Sequence, residues 1–196
     1  MQYQKEEIRA RILEAALAEF EQHGFAGAQM RRMARRARVA TGNIYRYFKN
    51  KEEIFDAIVQ AGYRDISALI FESHQLSKQN RGDIRSIARH IASGIMGVYS
   101  RHGRQLLVVA NKSSGSRHED FLETLTTMVA RRIREELYSG AGEGDDVLIH
   151  LIASGFVEGL FIILRSISDI QRIEELINRM LIFYFQDIEC RLGVTG

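Results

Sequence analysis

The sequence VATGNIYRYFKNK runs from Val39 to Lys51 and decides how the rest of the chain is interpreted. Two tyrosines, one arginine and two lysines stand among small residues there, a composition suited to a short helix that touches a polyanion closely. The preceding stretch, QMRRMARRAR at 29–38, has apolar residues at helical spacings of three and four, so its five arginines project outwards from a predicted helix. A helix, a tight connection and a second helix together predict a helix-turn-helix motif.

The charge of the chain is divided unevenly. Residues 1–51 contain eleven basic and five acidic side chains, a net charge of +6, whereas the remainder contains sixteen basic and twenty acidic side chains, a net charge of −4. The whole-chain value of +2 therefore conceals a basic N-terminal part and a mildly acidic remainder. Nucleic acid is the partner that a basic part of this kind favours.

Residues 9–55 resemble the DNA-binding domain of the TetR/AcrR family of bacterial repressors. The family pattern has a first helix that ends in aromatic-x-x-x-Gly-Phe, then an Ile-Ala pair, then Ala-Gly-Val-Ser-x-Gly-x-Leu-Tyr-x-(His/Tyr)-Phe-x-x-Lys-Glu. In this chain the matching positions are Phe20, Gly24, Phe25, Met33, Ala34, Ala37, Val39, Gly42, Ile44, Tyr45, Tyr47, Phe48, Lys51 and Glu52.

The resemblance implies an all-α protein with about nine helices in total. A three-helix DNA-binding domain with the helix-turn-helix would occupy residues 1–50, and a helical ligand-binding and dimerisation domain would occupy residues 51–196. Such a protein would be a homodimeric transcriptional repressor that binds a palindromic operator in double-stranded DNA and is released by a small apolar effector. Two recognition helices related by a two-fold axis can enter successive major grooves about 34 Å apart.

Three positions depart from the family pattern. Arg38 stands where the family has Gly, in a turn that often requires positive φ, at a cost of roughly 1 kcal/mol or more for a residue with a Cβ. Ala40 replaces the Ser that caps the recognition helix, so either Thr41 takes over the cap or the helix loses about 1 kcal/mol of anchoring. Gln29 replaces the Thr or Ser that opens the second helix, and its amide can still donate a hydrogen bond.

The predicted DNA contacts divide by chemistry. Base-edge contacts are expected from Thr41, Asn43 and Arg46, since Asn suits adenine, Arg suits guanine and a Thr methyl can meet the methyl of thymine. Gly42 would allow close approach to the DNA. Phosphate contacts are expected from Gln29, Arg31, Arg32, Arg38, Tyr45, Tyr47 and Lys51. A row of arginines on a helix, taken alone, is equally consistent with a solvated face.

Beyond residue 50 the apolar pattern is helical. Asn50 with Glu53 forms a capping box, which predicts a helix that continues to about His74. Asp83 caps a helix that should end near Arg101, because Gly103 follows. The stretch at 105–112 contains LLVVA and is left open between a helix and a strand.

The last two predicted helices carry more apolar surface than one buried stripe requires. Ser168 with Gln171 is read as the capping box of the final helix. Gly155 and Gly159, four residues apart, would let another helix approach closely. A dimer interface is predicted at Leu148, Ile152, Gly155, Gly159, Ile163, Ile173, Ile177, Met180, Leu181 and Tyr184. The alternative is that both stripes only fill the core of one chain.

An effector pocket, which the resemblance implies, would be lined by residues that suit an adaptable apolar cavity. The candidates are Met96, Tyr99, Phe121, Leu125, Met128 and Phe156, and each of them could also be ordinary core. No cofactor is expected.

Other classes of function have less support. The six histidines include no pair at metal-ligand spacing within a helix, so no metal site is expected. No Ser/His/Asp, Cys/His or paired-carboxylate set stands out, so an enzyme is not expected; a DNA-binding architectural protein without a ligand is the main alternative. No signal peptide is evident, and Glu158 and Arg165 interrupt the longest apolar stretches, so a cytoplasmic protein without a membrane partner is expected.

Overall fold

The computed structural model describes residues 2–79, 83–137 and 145–191 and shows helices and connections, with no strand among these residues. The all-α class predicted from the sequence is confirmed. Nine helical segments occur in the described ranges: α1 (Gln2–Gly27), α2 (Met30–Arg36), α3 (Thr41–Ile44), α4 (Lys51–Gln79), α5 (Ile84–Lys112), α6 (Phe121–Leu137), α7 (Asp145–Ser166), α8 (Ile170–Phe185) and α9 (Ile188–Arg191).

The chain divides into two compact units. The N-terminal unit consists of residues 1–65 together with 101–119, and the C-terminal unit consists of residues 66–100 together with 120–196. The N-terminal unit thus extends past residue 50, where the sequence predicts a domain boundary, and it includes a second segment from the end of α5.

Three phenylalanine rings form the centre of the N-terminal unit. The rings of Phe20 and Phe55 meet edge to face with centroids 4.9 Å apart, and Phe25 meets Phe55 at 5.2 Å. Phe25 can turn back towards Phe20 because Gly24 interrupts α1 at φ 64°, a conformation that a Cβ disfavours. The aromatic and glycine positions of the family pattern therefore build this core, and edge-to-face aromatic pairs stabilise it beyond the area that they bury.

The N-terminus of α4 is capped as the sequence predicts. The Asn50 side-chain oxygen accepts a hydrogen bond from the Glu53 amide at 2.9 Å, and the Glu53 carboxylate accepts one from the Lys49 amide at 2.7 Å. The helix continues to Gln79, which is five residues beyond the predicted end at His74.

The predicted end of α5 is wrong, although its start is confirmed. The Asp83 carboxylate accepts a hydrogen bond from the Ser86 amide at 3.0 Å. The helix then passes through Gly103 and ends at Lys112, so the ambiguous stretch at 105–112 is helical. Leu106 and Val109 in this stretch are buried, and their burial outweighs the roughly 1 kcal/mol that a mid-helix glycine costs.

The C-terminal unit is built around α6, α7 and α8. Ile133, Ile149, Ala153 and Ile188 form one buried cluster within it. The final long helix is capped by Asp169, whose carboxylate accepts hydrogen bonds from the amides of residues 171 and 172 at 2.9 and 3.1 Å. The cap predicted at Ser168 is therefore wrong by one residue, since the carboxylate of the next residue takes the two orphan amides.

Two glycines on α7 bring α8 of the same chain close. A Cβ added at Gly155 would lie 2.9 Å from the Tyr184 hydroxyl oxygen, and one added at Gly159 would lie 3.2 Å from the Met180 sulfur. The close approach predicted for these glycines is therefore used inside one chain, at the contact between α7 and α8.

Helix α7 is apolar enough to meet the length and composition test for a membrane-spanning segment, with a mean hydropathy of 2.3 over an 18-residue window. A third of that window is buried inside the chain. A single helix of this kind is weak support for a membrane location, because the packing helices of many folds pass the same test.

Candidate nucleic-acid interface

The helix-turn-helix is anchored by apolar residues that face α1 and the core of the N-terminal unit. Met33 and Ala34 of α2 are fully buried, and so is Ile44 of α3. Phe48, just after α3, is 2% exposed, and the guanidinium of Arg9 lies 5.2 Å from the centre of its ring. With one face of each helix buried in this way, the opposite face is presented outwards.

The turn between α2 and α3 has the conformation expected at the position where the family pattern has Gly. Arg38 adopts φ 56°, in the left-handed region. The amide of Val39 donates to the Ala34 carbonyl at 3.0 Å, and this hydrogen bond closes the turn. The expectation of a strained arginine is confirmed, and its strain is of the order of 1–2 kcal/mol.

A second arginine holds this turn from α1. Nη2 of Arg11 donates a hydrogen bond to the Ala37 carbonyl oxygen at 2.7 Å. This role could not be predicted from the sequence, because Arg11 lies 26 residues from Ala37 on a helix whose polar residues look like a solvated face.

The short helix α3 has no side-chain cap. Ala40 is the N-cap residue, in an extended conformation, and no side chain bonds the first amides of the helix. Of the two alternatives for the missing Ser, Thr41 does not take over the cap: it is the first residue of the helix itself. The recognition helix α3 is therefore less stable than a capped helix by about 1 kcal/mol.

The residues predicted to contact bases lie on or next to the outer face of α3. Thr41, Gly42 and Arg46 are exposed, and Asn43 is half-buried. Tyr45 is 52% exposed, which is unusual for a large ring in a folded domain. A Cβ added at Gly42 would meet no heavy atom within 4 Å, so the fold itself does not require a glycine there.

The arginines of α2 fall into two groups. Nε of Arg32 donates to the carboxylate of Glu19 at 2.5 Å, and Glu19 is only 1% exposed. Arg36 donates to the Gln22 amide oxygen at 3.1 Å. The side chains of Arg31 and Arg35 are exposed and make no hydrogen bond or ion pair within the described parts of the chain. Arg32 is thus a structural link between α1 and α2, and Arg31 and Arg35 are available to an external anion.

Two further predicted phosphate contacts have partners within the chain. Nζ of Lys51 donates to the carbonyls of Phe25 and Ala26 at 2.6 and 3.2 Å and lies 4.3 Å from the centre of the Phe25 ring. The Gln29 side chain makes no cap hydrogen bond, while its backbone amide donates to Glu19 at 3.2 Å. The structure therefore gives Lys51 a tethering role, since its ammonium satisfies carbonyls at the end of α1.

A cluster of ionisable groups that was not predicted from the sequence lies elsewhere in the N-terminal unit. Nε2 of His118 is 2.7 Å from the Asp56 carboxylate, and Glu52, Asp56 and His118 each place a ligand atom within 4.8 Å of the others. Arg117 pairs with Asp56 at 3.1 Å. The spacing of the histidines could not predict this cluster, because His118 contacts carboxylates that are 62 and 66 residues away in the sequence.

An ion-pair network also joins α1 to the C-terminal end of α5 within the N-terminal unit. The guanidinium of Arg104 donates to Glu21 at 2.8 Å and to Glu14 at 2.6 Å. The hydrogen bonds to Glu21 and then to Glu14 raise the pKa of Arg104 above its ordinary value. Arginine is charged at neutral pH in any case, so the role of the two carboxylates is to tie its guanidinium to α1.

The predicted dimer residues divide between the core and the surface of the C-terminal unit. Ile173, Ile177 and Leu181 are at most 2% exposed, so their surface is used inside the chain. Leu148 is exposed, and the remaining members, Ile152, Gly155, Gly159, Ile163, Met180 and Tyr184, are half-buried. Large apolar side chains that were not predicted are also exposed on α7 and α8: Val147, Leu151, Ile162, Ile170 and Phe183.

The predicted pocket residues are mostly buried in the C-terminal unit. Met96, Phe121, Leu125 and Phe156 are under 10% exposed, and Tyr99 and Met128 are half-buried. The hydroxyl of Tyr99 donates to the Leu164 carbonyl at 3.0 Å. Phe121 meets Phe161 edge to face, and Phe156 meets Phe185 in the same way.

Comparison with known proteins identifies the N-terminal segment. Residues 12–58 match the family model described as bacterial regulatory proteins, tetR family. A stretch of 62 residues is 44% identical to the HTH-type transcriptional repressor SCO4008 of Streptomyces coelicolor, and this stretch is 32% of each chain. The chain thus spans about a third of the length of that curated relative.

Longer but weaker similarities cover both units. The HTH-type transcriptional repressor NicS of Pseudomonas putida is 25% identical over 158 residues, which are 81% of this chain and 68% of NicS. The structure of a TetR-family transcriptional regulator from Bordetella parapertussis has a TM-score of 0.66 at 15% identity, covering 91% of this chain and 94% of that one. These similar proteins are regulators and not enzymes, so the expectation that the chain is not an enzyme is confirmed.

Proposed function

We propose that the chain, whose residues 12–58 match the model of the tetR family of bacterial regulatory proteins, is a member of that family and a homodimeric transcriptional repressor that binds a palindromic operator. The observation that carries this proposal is the outward face around α3, where Arg46, Tyr45 and Thr41 are exposed beside the strained turn at Arg38. The opposite side of the motif is held by fully buried anchors. An exposed, basic face of this kind is suited to the major groove.

The roles on this face follow from the donors and acceptors that each side chain offers. Arg46 can bind guanine through two hydrogen bonds, and Asn43 can bind adenine in the same way. Arg31, Arg35 and Arg38 can neutralise phosphates, as can the hydroxyls of Tyr45 and Tyr47 by hydrogen bonding. Arg35 is therefore added to the phosphate contacts that the sequence predicts. Arg32 and Lys51 instead stabilise the helix-turn-helix, because their side chains already donate hydrogen bonds to groups of the same chain.

Dimerisation would use the exposed apolar stripe of α7 and α8. Leu148, Leu151 and Ile162 lie on one face of α7 at helical spacing, and they are 44%, 61% and 44% exposed. Phe183 on α8 is 69% exposed. An apolar stripe on two packed helices is suited to an isologous interface, in which the same surface of a second copy covers it. A two-fold dimer would in turn match a palindromic operator.

Release from DNA would come from a small apolar effector in the C-terminal unit, with Met96, Tyr99, Phe121, Leu125, Met128 and Phe156 as the candidate lining. An effector shifts the equilibrium only by the difference in its affinity for the two states, typically about 1–3 kcal/mol. An architectural DNA binder would lack this coupling, and a thermal-shift screen of apolar molecules without any hit would favour it. The dimer would act in the cytoplasm, where its operator lies.

The DNA-binding proposal is tested by fluorescence anisotropy with DNA from the region upstream of the chain's own gene. Arg46→Ala is expected to cost about 1–3 kcal/mol in binding and to relax the preference at one base pair. Arg31→Ala is expected to weaken binding to all sequences alike and to reduce the salt slope by about one unit. Arg89→Ala, an exposed arginine on α5, serves as the matched control. Normal binding by both test variants would show that the reading face is misassigned.

A further inference from the structure

Three potential ligand side chains converge in the N-terminal unit from two distant segments. Glu52 and Asp56 lie one turn apart at the beginning of α4, so their carboxylates share a face of the helix. His118 comes from the connection after α5. Each of the three offers one ligand atom, and these atoms lie within 4.8 Å of one another. None of these residues belongs to the proposed DNA contacts.

We propose that Glu52, Asp56 and His118 form a binding site for a divalent transition-metal ion, and that Zn²⁺ suits their chemistry best. Zn²⁺ accepts imidazole nitrogen and carboxylate oxygen at about 2.0–2.2 Å. Ligand atoms around a tetrahedral Zn²⁺ are then about 3.4 Å apart. The 2.7 Å separation between Nε2 of His118 and Asp56 has to widen by less than an ångström, and a fourth position is left for water.

Tyr63 orients the imidazole for this role. Its hydroxyl lies 3.3 Å from Nδ1 of His118, on the side of the ring that faces away from the carboxylates. If Nδ1 donates its proton to the Tyr63 hydroxyl oxygen, the Nε2 lone pair faces the Asp56 carboxylate and can bind a cation placed between them. A hydrogen bond to the second ring nitrogen is the usual outer support of a histidine that binds a metal.

Arg117 currently supplies the positive charge that the carboxylates require. Its guanidinium lies 3.1 Å from Asp56 and 3.5 Å from Glu52. The side chain is 63% exposed, so it can exchange these ion pairs for water at a small cost. Two carboxylates and one guanidinium leave the cluster with an excess negative charge, which favours a divalent cation. Arg117 is therefore a displaceable competitor of the metal.

The site is tested by isothermal titration of Zn²⁺ into the full-length chain after treatment with a chelator. One saturable Zn²⁺ per chain is expected, and Asp56→Asn or His118→Gln should weaken its binding by about tenfold or more. Asp65→Asn is the matched control. Asp65 also pairs with a histidine and an arginine, at 3.1 Å from His102 and 2.9 Å from Arg101, but it belongs to no three-ligand group within the described ranges.

Arg117→Ala distinguishes a metal site from a network of ion pairs. Removal of the competing cation should tighten Zn²⁺ binding by about two- to fivefold, the range expected from an exposed ion pair. The proposal is overturned if the parent chain shows no saturable Zn²⁺ binding, or if Glu52→Gln and His118→Gln bind Zn²⁺ as the parent does. Thermal unfolding in the presence of chelator identifies any variant that fails to fold. In that case the Zn²⁺ affinity of Glu52→Gln, which keeps the side-chain volume, is the deciding measurement. No DNA is present, so the outcome is independent of operator binding.

Discussion

Nη2 of Arg11 donates a hydrogen bond to the carbonyl oxygen of Ala37 at 2.7 Å, and the same nitrogen lies 3.4 Å from the Arg38 carbonyl oxygen. Helix α1 thus reaches the end of α2 and satisfies a carbonyl that the helix itself leaves unpaired. This contact supports the left-handed conformation of Arg38 in the turn before α3. The orientation of the reading helix therefore depends on a residue that is not predicted to touch DNA.

Arg11→Ala is expected to lower the free energy of unfolding by about 1–2 kcal/mol, because a partly buried hydrogen bond from a charged donor is lost. Urea unfolding followed by circular dichroism measures this change. DNA binding should weaken as well, because the turn loses its support. Arg35→Ala, an exposed arginine on α2, is the control and should leave the unfolding free energy unchanged. Equal free energies of unfolding for the two variants would show that Arg11 does not stabilise the turn.

Arg38→Gly is expected to raise stability while weakening DNA binding. The glycine relieves about 1–2 kcal/mol of backbone strain in the left-handed region. The greater conformational freedom of the unfolded chain offsets about 0.4–1 kcal/mol of that gain in the free energy of unfolding. Arg38→Ala removes the charge but keeps a Cβ at φ 56°. Thermal unfolding should therefore separate the two variants, whereas the loss of DNA affinity in a salt titration should be common to both. A gain in stability for Arg38→Ala would contradict the strain argument.

Arg32→Ala is expected to destabilise the chain far more than Arg31→Ala does. Its loss leaves the carboxylate of Glu19, which is 1% exposed, without its closest cation. Breaking a buried ion pair costs about 3–5 kcal/mol, and the partial exposure of Arg32 reduces the expected loss to about 2 kcal/mol. Adding Glu19→Gln to Arg32→Ala should restore part of the stability in urea unfolding. Failure of that rescue would show that Arg32 acts through packing and not through charge.

Leu151→Glu is expected to convert the dimer to a monomer at micromolar concentration, because it places a charge in the centre of the exposed stripe of α7. Light scattering after size-exclusion chromatography measures the mass. Phe71→Glu is the control, since Phe71 is also exposed, at 64%, but lies on α4. A parent chain that is already monomeric, or a dimer that survives Leu151→Glu, would contradict the proposed interface.

Features that depend on neighbours in sequence could be predicted, and those that depend on distant neighbours could not. The caps at Asn50 and Asp83 are confirmed, because a cap is formed within four residues. The local sequence predicts a helix end at Gly103, because glycine has a poor helix propensity. The helix nevertheless continues past Gly103 because Leu106 and Val109 are buried, and their burial depends on the rest of the unit.

The same distinction holds for the candidate sites. The anchors and exposed residues of the helix-turn-helix follow the family spacing, so Arg38 could be placed at a positive φ from the sequence alone. The partner of Arg32 is 13 residues away on α1, and a helical pattern of arginines cannot show which of them turns inwards. His118 meets Asp56 only because the end of α5 returns to the N-terminal unit, which no local pattern reveals.

The two-segment composition of the N-terminal unit sets a limit on its use as a module. Arg104 binds Glu14 and Glu21, and Arg117 binds Glu52, so residues 101–119 complete the charge balance of the first 65 residues. A fragment that stops at residue 65 would leave these carboxylates without their cations. A chimaera that joins this N-terminal unit to the C-terminal unit of another protein must therefore also contain residues 101–119. For the same reason, a single recombination point cannot exchange the N-terminal unit between related proteins.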